Sequence, residues 1–66
     1  MRVYGLTKVG KQQARRDGGG SEVKVLHFLL GNPGYTATED EIYVVGGERY
    51  ILRRLKDRGL IVELTT

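Results

Sequence analysis

Between Arg49 and Arg58 the chain places five basic side chains, Arg49, Arg53, Arg54, Lys56 and Arg58, beside Tyr50 and a single acid, Asp57. Five positive charges less one give this segment a charge of +4, more than the net +3 of the whole chain. The remainder is therefore slightly acidic. Guanidinium groups are planar forks that bond two acceptors at once, on a guanine edge or a phosphate, and a tyrosine near a helix start reaches a phosphate or a thymine methyl. These residues suit contact with nucleic acid; the plainer alternative is a solvated helix face. A second basic group, Lys8, Lys11, Arg15, Arg16 and Lys24, suits sequence-independent phosphate contact, with solubilising charge as its plainer reading.

Other reactive residue types lead away from catalysis. Glu39, Asp40 and Glu41 follow Thr38, the spacing of a capping box in which hydroxyl and carboxylate exchange bonds with each other's backbone amides. Acids there also favour the helix dipole, so no acid–base role is expected of them. His27 is the single histidine and cysteine is absent, which removes thiolate and His-rich metal ligation. His27 is expected at the surface or at a core boundary. The run Gly18-Gly19-Gly20-Ser21 lacks the Gly-Lys-Ser/Thr of a phosphate loop and reads as a hinge. Tyr4, Tyr35 and Tyr43 are too scattered for a base-stacking platform. No enzyme activity, cofactor or metal is expected.

Positioning the basic residues falls to a small scaffold. Sixty-six residues of 7.4 kDa suit one domain, residues 1–66, whose core is thin because only about 60% of the unfolded surface is buried at this size. The pI near 9.5 permits a nucleic-acid partner without requiring one. No basic segment followed by an apolar one opens the chain, and the longest apolar stretch, 25–30, is far short of the roughly 20 residues that cross a bilayer. A soluble, intracellular chain without a membrane partner is expected.

The pattern predicts a strand at 2–6, then a weak helix at 8–16 capped by Thr7 with Val9 and Ala14 inward. Gly10 interrupts that helix at about 1 kcal/mol. A flexible joint at 17–20 follows. Ser21 is then the expected N-cap of the strongest helix, whose face is Val25, Leu26, Leu29 and Leu30, ended by Gly31-Asn32-Pro33-Gly34. A short capped helix at 39–45 turns inward Ile42 and Val45. After Gly46-Gly47, a helix at 48–58 buries Ile51, Leu52 and Leu55, and at about 100° per residue its opposite side carries Tyr50, Arg53 and Asp57, flanked by Arg49 and Arg54. Gly59 caps it, and 60–64 forms a closing strand.

Two helices joined by a tight glycine turn, with a strand leaving the second, form a helix-turn-helix with the start of a wing. From Val25 onward the chain resembles the winged-helix DNA-binding domains of microbial regulators, MarR-like and PadR-like proteins and their archaeal relatives. The matching stretches are Val25-Leu26-His27-Phe28-Leu29-Leu30, Thr38-Glu39-Asp40-Glu41-Ile42, and Tyr50 through Ile61 with Gly59 between Leu55 and Leu60. Leu6-Thr7-Lys8-Val9-Gly10 resembles the Leu-Thr-x-x-Gly that follows the second wing strand in those families, here at the N-terminus.

The resemblance implies an α+β, mostly α, winged helix-turn-helix in the order β-α-α-α-α-β. Its N- and C-terminal strands would pair antiparallel as a permuted wing without its connecting tip. It further implies a sequence-specific or general binder of double-stranded DNA, a transcription regulator, cytoplasmic and nucleoid-associated in a microbial or viral setting. Arg49, Tyr50, Arg53 and Arg54 would face bases and phosphates, and Lys8, Lys11, Lys56 and Arg58 the flanking backbone. One such module buries only about 600 to 1,000 Å² on DNA, so specificity would call for a homodimer or another partner. The alternatives are a winged-helix protein-interaction module and a nucleic-acid-binding appendage of a larger assembly.

Overall fold

The β-branched and aromatic run Val3–Leu6 forms β1, the middle strand of a three-stranded antiparallel sheet. The computed structural model describes residues 2–16 and 20–64. After β1 come α1 (Lys8–Ala14), α2 (Ser21–Leu30), a 3-10 turn (Pro33–Tyr35), β2 (Thr36–Thr38), α3 (Glu39–Val44), α4 (Arg49–Asp57) and β3 (Ile61–Glu63). The described residues thus form a mostly helical α+β fold with strand order β2-β1-β3. The hinge expected at 17–20 lies mainly outside them, as does the chain beyond Leu64.

The expected pairing of the first and last strands is present: Tyr4 faces Glu63, Gly5 faces Val62 and Leu6 faces Ile61. Beyond the ladder, the Leu64 amide donates to the Val3 carbonyl at 2.8 Å. The other edge of β1 was not expected to be filled. The sequence predicts no element at 36–38, yet these residues form β2, with Tyr4 facing Ala37 and Val3 facing Thr38. Three residues are too few for alternation to register, although Thr-Ala-Thr with only Ala37 buried is the pattern of a half-buried strand.

One face of the sheet supplies Tyr4, Leu6, Ala37 and Ile61 to a core completed by Val25, Leu26 and Leu29 of α2, Ile42 of α3, and Ile51, Leu52 and Leu55 of α4. The capping box at Thr38 and Glu41 forms in full. Some details differ from expectation. Gly20, not Ser21, is the N-cap of α2, and Ser21 is already helical. Val45 lies just past α3, half-buried. Glu48 and Arg58 flank α4 without belonging to it, and Gly59 follows at φ 75°.

The largest departure is in α1, where Val9 is 56% exposed and the inward positions are Gly10 and Ala14. Gly10 is no weak point in a helix. A Cβ there would fall on the Leu60 carbonyl oxygen, with the Leu6 side chain 2.7 Å away, so its absence lets α1 lie against the chain leaving α4. Thr7 fastens the same junction: its hydroxyl donates to the Gly59 carbonyl at 2.7 Å, accepts from the Gly10 amide at 3.0 Å, and its own amide donates to Leu60 at 3.1 Å.

Helix propensity alone predicts that Gly10→Ala stabilises the chain by about 1 kcal/mol. The packing predicts the opposite sign, a loss of about 1–3 kcal/mol from overpacking against backbone, measurable by denaturant unfolding.

Candidate nucleic-acid interface

The turn that presents α4 is itself packed. The Gly47 amide donates to the Ile42 carbonyl at 3.0 Å, and a Cβ on Gly47 would stand 2.5 Å from Ile42 Cγ2 and 3.0 Å from Val25 Cγ2. The direction in which α4 leaves α3 is therefore set by contact with α2. With Ile51, Leu52 and Leu55 buried, Arg49, Tyr50, Arg53, Arg54, Lys56, Asp57 and Arg58 are exposed.

The cations fall on two stripes of the helix. Arg49, Arg53 and Lys56 are spaced i, i+4, i+7, and Arg54 and Arg58 are spaced i, i+4, so the stripes lie roughly 150° apart with Tyr50 and Asp57 between them. Their surroundings differ. Glu22 of α2 reaches Arg58 at 2.9 Å and Arg54 at 3.5 Å, holding the second stripe against the neighbouring helix. On the first stripe Lys56 pairs with Glu63 at 3.6 Å. Among the described residues, Arg49 and Arg53 have no carboxylate within ion-pair distance.

The first stripe borders a cleft of about 250 Å³ between α4, α3 and β1. Arg2, Arg49, Arg53 and Lys56 line it with one carboxylate, Glu39, so four positive charges less one leave +3. Leu52 and Tyr4 form its apolar part. Arg2 had not been singled out as a site residue. It reads as the edge of a strand, and only the pairing of β1 beside β2 carries it to Glu39, whose Oε2 is 4.0 Å away. The Tyr4 hydroxyl, then Glu63 and Glu39, hold the Arg2 guanidinium above its ordinary pKa.

Lys8 and Lys11 do not line this cleft. Lys8 is exposed at the start of α1, one residue from the Thr7 contact with the end of α4. The Lys11 ammonium lies over the Tyr35 ring, 4.0 Å from its centre. Arg15, Arg16 and Lys24 are exposed. His27 Nε2 donates to the Ala14 carbonyl at 2.6 Å, clasping α2 to α1.

Two of the acids at the start of α3, Glu39 and Glu41, have structural partners. Glu41 accepts from the Thr38 amide at 2.9 Å, and Glu39 accepts from the Tyr43 hydroxyl at 2.7 Å. No protein-family model, curated protein or solved structure matches this chain. Among the described residues, no helix is long and apolar enough to cross a membrane.

The bond to Glu39 raises the Tyr43 phenol above the ordinary tyrosine pKa; Arg49 opposes the shift with a smaller effect. A raised pKa means the fold favours the protonated phenol. That contribution is complete below the ordinary tyrosine pKa and is lost as pH rises through the raised value. Thermal melts across the alkaline range should show a decline that Tyr43→Phe makes shallower, and the difference in tyrosinate absorbance between the two proteins should titrate late.

Proposed function

We propose that this chain is a DNA-binding protein of the winged-helix type that lays α4 in the major groove of double-stranded DNA, acting as a transcription regulator or chromatin-associated factor. The observation that carries this reading is the exposed face of α4, where Arg49, Tyr50 and Arg53 lack a carboxylate partner among the described residues. This helix is also the second of a tightly turned pair. In this reading Arg53 and Tyr50 meet base edges, and Arg49 and Lys56 the phosphates on one side of the groove. Arg54 and Arg58, steadied by Glu22, fit the other side, and Lys8 extends that contact past the end of the helix.

The sheet supports the same reading. β3 and β1 pair as two arms of a hairpin with no connecting loop between them, the arrangement a permuted wing would have. The location that goes with this activity is the cytoplasm, on the nucleoid. Pairing of two copies would supply the interface area that one small module lacks.

A gel-shift series with duplex DNA at increasing salt tests the reading. Affinity should fall steeply with salt as counterions are released, and Arg53→Ala should weaken binding by about 1–3 kcal/mol. Glu22→Gln frees Arg54 and Arg58 and should tighten binding by up to about 1 kcal/mol. Absence of binding at low salt overturns the proposal.

A further inference from the structure

The cleft between β1, α3 and α4 gathers charge in a way that needs no groove to explain it. Arg2 comes from one end of the sequence and Arg49, Arg53 and Lys56 from the other. Their convergence holds like charges together, and two carboxylates answer them, Glu39 at Arg2 and Glu63 at Lys56, leaving Arg49 and Arg53 without one among the described residues. Glu39 accepts from the Tyr43 hydroxyl through Oε1 and stands 4.0 Å from Arg2 through Oε2. Leu52 and Tyr4 remove water from one wall, which strengthens any ionic contact made against it.

We propose that this cleft binds a phosphate group. With Glu63 counted beside Glu39, four positive charges less two leave +2, which a single bound carboxylate would not answer and a phosphate or pyrophosphate would. Its oxygens also match the forked donors of three arginines, which a lone lysine site would not provide. Arg49 and Arg53 stand one turn apart on α4, and Arg2, the residue before β1, lines the same cleft. The phosphate has two sources, the backbone of a nucleic acid and a small phosphoester. The site stands whether or not α4 enters DNA.

Titration of the full chain with inorganic pyrophosphate at low ionic strength, followed by calorimetry and by NMR of the arginine side chains, tests this directly. Saturable binding is expected, with shifts at Arg2, Arg49 and Arg53. Arg2→Gln should weaken it about tenfold, and Arg2→Lys, which keeps the charge but loses the fork, by an intermediate factor. Arg54→Gln removes the same charge from the other stripe and should change it less than about twofold. Pyrophosphate that displaces duplex DNA assigns the phosphate to a nucleic-acid backbone; pyrophosphate that binds beside DNA, or without any DNA binding, assigns it to a small phosphoester. No saturable binding, or equal losses for Arg2→Gln and Arg54→Gln, overturns the proposal. A DNA gel shift run alongside tells that failure from failure of the DNA reading.

Discussion

The backbone of β1 is hydrogen-bonded on both sides, to β2 and to β3, and the arrangement of the rest of the molecule depends on that double pairing. A strand used on both edges leaves no amide or carbonyl row open and fixes where its two ends emerge. At one end Arg2 reaches Glu39 and the cleft beside the first turns of α4. At the other, Thr7 bonds to the Gly59 and Leu60 carbonyls where α4 has ended. Four residues of strand thereby touch the surroundings of both ends of the basic helix. The inner side chains Tyr4 and Leu6 join the same core as Leu52 and Leu55, so pairing and packing hold α4 in one position.

Charge is then sorted locally. A segment of +4 is no uniform patch, because among the described residues its ion pairs with neighbouring elements are made at Glu22 and Glu63. Glu22, at the first turn of α2, takes Arg54 and Arg58, while Glu63 on β3 takes Lys56. These pairs are partly exposed and contribute little to stability. Their consequence is orientation: two arginines are held against α2, and Arg49 and Arg53 are left facing the cleft and solvent. Glu41 and Glu39 of α3 are likewise occupied, by the capping box and by Tyr43.

Much of this was legible in the sequence where one residue type had one physical use. The apolar spacing in α2 and α4 marked their buried faces, Thr38 with Glu41 marked the start of α3, and the composition of 2–6 and 60–64 marked two strands that pair. What stayed hidden depended on contacts distant in the chain. β2 is too short to show a period. Gly10 reads as a helix flaw until the Leu60 carbonyl is placed beside it, and Val9 reads as core until Gly10 and Ala14 take the inner side. Arg2 lies 47 positions from Arg49 in the sequence, and Glu22 lies 32 and 36 positions from the two arginines it holds. Basic residues were identified by composition; which of them act together was set by topology.

The central claim is that the exposed face of α4, with Arg2 beside it, is where this chain meets DNA. Backbone amide shifts recorded while a short duplex is titrated into isotope-labelled protein at low salt test that claim most directly. The account predicts shifts concentrated at Arg2, Arg49, Tyr50, Arg53 and Lys56 that diminish as salt is added. Shifts confined to α1 and the outer side of α2, or none at all, would contradict it.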